Sequence, residues 1–234
     1  MIMKRVLAIV AHPDDEVLGL GGTLASIAAD DVETVVAVVC EGVGTRRGDR
    51  SLTSVRDRTK YATSLLGVSR CLFGGYGIEG RLLADFPQGV AVKFVEEVMN
   101  DVQPSIVFTH ALNDIHADHR RVSEAVMYVC RVFARPMLEE ILLCEVLSST
   151  EQQYGRDLYF QPNMFYDIHH YLEKKLAALE VYHDELGDFP HPRSREAVTA
   201  LANFRGVQAG FNGAEAFELV RSRRRSGGGG AAVS

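Results

Sequence analysis

Short continuous apolar runs alternate along the chain with stretches in which apolar residues recur every three or four positions. Val6-Leu7-Ala8-Ile9-Val10 is a run of the first kind and predicts a buried strand over 5–10. Val17, Leu18, Leu20, Leu24 and Ile27 follow at helical spacing and predict a helix to about residue 29. The β-branched run 32–39 predicts a second strand. A helix over 52–66 is closed by Gly67, and a short third strand is expected over 70–73. Ala91, Phe94, Val95, Val98 and Val102 mark a helix over 90–102 that Pro104 breaks, and 105–109 reads as a fourth buried strand. Val122, Ala125, Val126, Val129 and Phe133 mark the next helix, and Ile141-Leu142-Leu143 is a fifth strand. Residues 148–165 read as irregular. Two further helices are expected over 171–183 and 194–205, separated by Pro190 and Pro192.

Strand–helix alternation predicts an α/β fold: a Rossmann-like open, mostly parallel sheet with helices on both faces. With strand order 3-2-1-4-5, strands one and four become neighbours at the topological switch point. Ligands bind there in such sheets, beyond the carboxyl ends of the strands. The folded domain is expected to span residues 1–220. Residues 221–234, arginine-rich and then glycine-rich, read as a disordered tail.

Both switch-point strands end in chemistry. Strand one runs into Ala11-His12-Pro13-Asp14-Asp15-Glu16, and strand four into His110-Ala111-Leu112-Asn113-Asp114-Ile115-His116-Ala117-Asp118-His119. Acids at a helix start are often mere complements to the helix dipole, and the first motif alone would admit that reading. The second motif, brought to the same place by the topology, favours a metal. Three protein ligands with one open position is the pattern of a catalytic zinc. His12, Asp15 and His119 supply two nitrogens and an oxygen. Zn²⁺ can lower the pKa of a bound water to about 7. Asp14, beside a ligand, is the candidate base, and His116 the group that donates a hydrogen bond or proton as charge develops. Asp118 is placed to orient one of the histidines. Gly19, Gly21 and Gly22 lie inside the first helix after an acidic turn that would repel a pyrophosphate. They are expected to let that helix approach the sheet closely.

Composition narrows the class. The 234 residues are 47% hydrophobic and 24% charged, as in ordinary globular proteins, and the net charge of −6 implies no general affinity for nucleic acid or an anionic membrane. The four cysteines form no CxxC pair, so neither a zinc framework nor a disulfide scaffold is expected. No apolar run is long enough to span a bilayer, and the N-terminal run leads straight into the metal motif, so a cytoplasmic protein is expected. Self-association is left open.

The run AHPDDE at 11–16 and HADH at 116–119 resemble the LmbE-like, or PIG-L, deacetylases. The resemblance continues through Asn113-Asp114, Pro190-His191-Pro192-Arg193-Ser194, Arg205-Gly206 and Ala214-Glu215-Ala216-Phe217. It implies a zinc-dependent N-deacetylase of N-acetylglucosaminyl conjugates. In it His12, Asp15 and His119 hold Zn²⁺, Asp14 is the base, and His116 stabilises or protonates the reacting centre. The second motif often reads HPDH in that family, and Ala117 replaces the proline here. Glu79 stands where relatives carry an aspartate that binds sugar hydroxyls. Arg56 and Arg81 are candidates for a substrate phosphate or hydroxyl, and Asn113 and Asp114 for further substrate contacts. The expected partner is a small N-acetylated sugar conjugate. Rival readings are a metal-dependent phosphoesterase, which would favour two metals and more acidic ligands, and a non-catalytic sugar-binding protein. Retention of Asp14 and His116 argues against the latter, because holding metal needs neither.

Overall fold

The structure, a computed structural model, describes residues 4–41, 52–76, 82–155 and 159–224. Seven strands form one sheet: β1 (Arg5–Val10), β2 (Glu33–Cys40), β3 (Arg70–Tyr76), β4 (Ile106–His110), β5 (Glu140–Cys144), β6 (Met164–Asp167) and β7 (Ala214–Ser222). Their order is β3-β2-β1-β4-β5-β7-β6. The first five run parallel in the order expected, with Val6, Leu7 and Ala8 of β1 opposite Ile106, Val107 and Phe108 of β4. β7 runs antiparallel to both β5 and β6.

Six helices cover the sheet: α1 (Asp15–Ala29), α2 (Leu52–Leu65), α3 (Gln88–Val102), α4 (Ala117–Val129), α5 (Leu172–Glu180) and α6 (Arg195–Ala209). β1 shows why both faces need cover. Val6, Ala8 and Val10 pack with residues of α1, α2, α5 and α6, whereas Leu7 and Ile9 pack with α3 and α4. Alternate residues point to opposite faces of a strand, so a strand apolar throughout must be buried on both.

The two antiparallel strands depart from the sequence reading. β6 begins at the end of the stretch read as irregular, and β7 ends at Ser222, so Arg221 and Ser222 belong to the sheet rather than to a tail. Arg223 continues on it, donating its N–H to Glu139 O at 2.9 Å. Residues 225–234 of the expected tail lie outside the described residues. α4 also stops short. Cys130 closes it, the chain turns at Arg131, and Phe133 is left 99% exposed rather than on the helix's buried stripe. Gly67 ends α2 with φ +79°, as read.

The glycines of α1 act at close quarters. A Cβ on Gly19 would come within 2.8 Å of Cys144 Sγ, and one on Gly22 within 2.8 Å of the Ile168 side chain. α1 is also broken at Leu20, where φ is −153°. The break frees backbone groups that a buried ion pair satisfies. Glu215 accepts the N–H groups of Gly22 (3.0 Å) and Thr23 (2.7 Å), and Lys175 Nζ donates to Leu18 O (2.8 Å) and to Glu215 itself (2.6 Å).

Candidate metal centre

The carboxyl ends of β1 and β4 hold the two motifs side by side. The turn after β1 is fixed by its own polar groups. His12 N–H donates to Asp15 Oδ2 at 2.8 Å, and Asp14 N–H donates to Glu16 Oε2 at 3.0 Å. Glu16 is held in turn by the Tyr182 hydroxyl at 2.6 Å. Asp14 has φ 101°, a conformation that costs a non-glycine residue about 1–3 kcal/mol and that surrounding contacts must hold. It leaves the Asp14 and Asp15 carboxylates in different surroundings although they are neighbours in sequence.

Histidine tautomers sort the donors. Two overlapping sets offer ligand atoms within 4.8 Å of one another: His12, His116 and His119, and Asp15, His110 and His119. His116 Nδ1 accepts the Asp118 N–H at 3.2 Å, capping α4, so in the neutral ring the proton sits on Nε2. His110 Nε2 accepts the Ala11 N–H at 2.7 Å, which puts its proton on Nδ1. Neither can give a lone pair to a cation without abandoning a backbone N–H. His12 and His119 are arranged the other way. His12 Nε2 faces Asp118 Oδ2 at 3.0 Å, and His119 Nδ1 faces Asp114 Oδ2 at 3.1 Å. Each carboxylate takes the ring proton and leaves the other nitrogen free. His12 Nδ1 and His119 Nε2 both lie 3.3 Å from Asp15 Oδ2. His12, Asp15 and His119 could thus each offer a cation one atom, and a carboxylate stands behind each histidine, as is usual for an imidazole that binds metal.

Electrostatics agree with that fit. Burial opposes charge on His119, but Asp15 and Asp114 outweigh it and push its pKa up to about 10. Burial would raise Asp15, yet His119 and His110 hold it well below the ordinary carboxylate range. Burial, with His12 and His119 near, lowers His116 to about 4, so it is a neutral hydrogen-bond donor. Burial lowers His110 to about 3, where it stacks on His119 with ring centroids 3.9 Å apart. Asp14 is pushed up to about 7 by burial, opposed by Arg193. A carboxylate near 7 suits a general base at neutral pH.

The remaining candidates fall in different places. Asp118 Oδ2 pairs with His12 Nε2, and its Oδ1 accepts the Ala84 N–H at 3.0 Å. Asp114 is a correction. It is fully buried and its carboxylate is committed to His119, the Ser149 and Thr150 hydroxyls and the His116 N–H, so it backs His119 and has no face left for a substrate. Asn113, on the same loop, has its carbonyl held by Gln153 Nε2 at 2.9 Å. Arg56 is tied through Nε and Nη2 to the buried Glu41 carboxylate at 2.9 and 3.0 Å. Its charge is thus already matched. Glu79 and Arg81 lie outside the described residues. The sequence reading gave no role to Ser149, Thr150 or Arg193. The first two lie in the stretch read as irregular, and Arg193 carried a signal only in the Pro-His-Pro-Arg-Ser run.

Comparison with known proteins agrees with the motifs. The profile of the PIG-L family, described as GlcNAc-PI de-N-acetylase, matches residues 7–130, just over half of the chain. The uncharacterized deacetylase YaiS of Escherichia coli (strain K12) is 28% identical over 180 residues, 76% of this chain and 89% of that protein. The N,N'-diacetylchitobiose deacetylase of Pyrococcus horikoshii superposes with a TM-score of 0.72 at 24% identity, covering 93% of this chain and 84% of its own. The 4-carboxy-2-hydroxymuconate hydratase GalB of Pseudomonas putida KT2440 superposes with a TM-score of 0.71 at 23% identity, covering 97% and 100%. At such identities the two structures speak for the fold alone.

Proposed function

Because the chain belongs to the PIG-L family, we propose that it is a metal-dependent hydrolase that removes the acetyl group from an N-acetylated amino-sugar conjugate, releasing acetate and a free amine. The observation that carries the reading is the set His12 Nδ1, Asp15 Oδ2 and His119 Nε2, with both histidine–aspartate distances at 3.3 Å, beside an aspartate not needed as a ligand. Zn²⁺ is the cation that two imidazoles, one carboxylate and an open position suit. When bound there it supplies Lewis acidity and eases deprotonation of a coordinated water.

The chain's own residues do the rest. Asp14 takes the proton of the attacking water. His116, neutral and carrying its proton on Nε2, donates a hydrogen bond to the acetamide oxygen as negative charge develops on it. The proton held by Asp14 is returned to the departing nitrogen, the C–N bond breaks to give a neutral amine and acetic acid, and the acid gives up its remaining proton to solvent and leaves as acetate. Asp114 and Asp118 keep the two ligand imidazoles in the required tautomer. The N-acetylglucosaminyl class is supported by the family description and by relatives named as deacetylases of such sugars, among them a probable N-acetyl-alpha-D-glucosaminyl L-malate deacetylase of Bacillus anthracis.

A second reading has one observation behind it: the hydratase GalB shares the fold across 97% of this chain. Hydration would use the same base and metal position but release neither acetate nor amine. The test is to offer the purified, zinc-supplemented protein a panel of N-acetylglucosaminyl conjugates and 4-carboxy-2-hydroxymuconate, the unsaturated tricarboxylate named for GalB. New primary amine matched by equimolar acetate is expected. Water addition to the unsaturated acid without amine release would overturn the deacetylase reading.

A further inference from the structure

The loop before α6 delivers a cation to the base. Arg193 Nη1 donates to Asp14 Oδ2 at 2.5 Å, and Arg193 Nε donates to Ser148 Oγ at 2.7 Å. The pair is not a solvated surface bridge, because the Arg193 side chain is 14% exposed and that of Asp14 5%. Both ends of the arginine are fixed. Its N–H donates to His191 Nδ1 at 3.2 Å, and the next residue, Ser194, caps α6 by accepting the Ala197 N–H at 3.1 Å. Ser148, which accepts from Nε, is set by a left-handed backbone (φ 72°) and by its own N–H donated to Glu151 Oε1 at 2.7 Å. The guanidinium is thus held by two segments distant in sequence and aimed at one oxygen of Asp14.

A carboxylate turns about its last bond unless one oxygen is tied. With Oδ2 tied, Oδ1 is the oxygen left to act, and among the described residues no donor takes it. A base has to sit within hydrogen-bond reach of the proton that it removes, and small misplacements cost large factors in rate. We propose that Arg193 is a positioning residue that fixes Asp14 with Oδ1 turned to the attacking water. This rests on the reading of Asp14 as the base. The competing view is that Arg193 merely straps the loop to the domain.

Two double-mutant cycles test it. In the first, kcat and KM are measured on zinc-loaded protein for wild type, Arg193→Ala, Asp14→Asn and the double variant. Arg193→Ala is expected to lower kcat about 10–100-fold with little change in KM, the usual effect of losing such a support. In the Asp14→Asn background the same change should cost less than about threefold, because there is no base left to position. An equal loss in both backgrounds, or wild-type kcat in Arg193→Ala, overturns the proposal. The second cycle reads thermal unfolding of the same four proteins without metal. The two substitutions should be non-additive if the pair exists as drawn. Additive effects would overturn the contact itself, and that result stands whatever substrate the enzyme takes.

Discussion

Asp14 and Asp15 are adjacent and chemically alike, and the turn after β1 presents them to different partners. Asp15 Oδ2 sits between two histidine nitrogens, whereas Asp14 faces Arg193. Asp14→Asn should keep the metal and lower kcat by roughly 10²–10⁴-fold, because the amide fits but takes no proton. Asp15→Asn should instead lose metal. Zinc content and kcat measured on both variants check the pair. A metal-free Asp14→Asn beside a zinc-loaded Asp15→Asn would reverse the two roles. A second prediction concerns His119. Its pKa without metal is about 10, above its ordinary value, so near pH 8 the ring carries a proton that an arriving cation must displace. Zinc affinity should therefore climb as pH rises towards 10. Calorimetric titration at pH 8 in buffers of different ionisation enthalpy should report at least about one proton released per zinc. No release would mean that His119 is neutral before the metal arrives.

At this scale the sequence was informative where residue type and spacing were enough. His12, Asp15 and His119 were readable as candidate donors because His-x-x-Asp and His-x-x-His each followed a strand. Asp114 was misplaced because its role depends on Ser149 and Thr150, which arrive from a distant loop and take up its carboxylate. Arg193 was quoted in a motif without a role, since only the folded chain shows it touching Asp14.

Among the elements, α1 is the one whose geometry the site depends on, since Asp15 is its first residue. Its break at Leu20 is sustained by Lys175 and Glu215, both about 5% exposed. Removing one partner of a buried pair leaves the other charge uncompensated, at about 3–5 kcal/mol. Lys175→Met should therefore lower the midpoint of thermal unfolding by roughly 6–20 °C for a chain of this size. A shift under about 2 °C would show that the break is held by other groups. Gly22→Ala should also destabilise, by about 1–3 kcal/mol, since its Cβ would meet three atoms of Ile168 at 2.8–2.9 Å. β1, β2, β4 and β5 were legible because burial on both faces writes them as apolar runs, whereas β3, with no fully buried residue and two glycines near its end, was read over 70–73 and runs to Tyr76. β7 was not legible. Ala-Glu-Ala-Phe has low strand propensity, and the buried Glu215 in it makes sense only against the broken helix.

For the whole molecule, the order β3-β2-β1-β4-β5 turns two distant motifs into one centre, and this much was readable from the alternation of strands and helices. The β5-β7-β6 extension was hidden, yet the connection from β5 to β6 carries Ser148, Ser149 and Thr150, and that from β6 to β7 carries Arg193, to the same rim. Among the described residues no helix is long and apolar enough to cross a membrane. In the proposed reaction one cation, held by His12, Asp15 and His119, drives removal of an acetyl group. The most direct measurement is to strip the protein of metal and follow acetate release from an N-acetylglucosaminyl conjugate as Zn²⁺ is added back. Activity should be absent at the start, rise in proportion to added zinc and level off at one equivalent per chain. Acetate release that is unchanged by stripping, or that still climbs from one equivalent to two, would contradict the account.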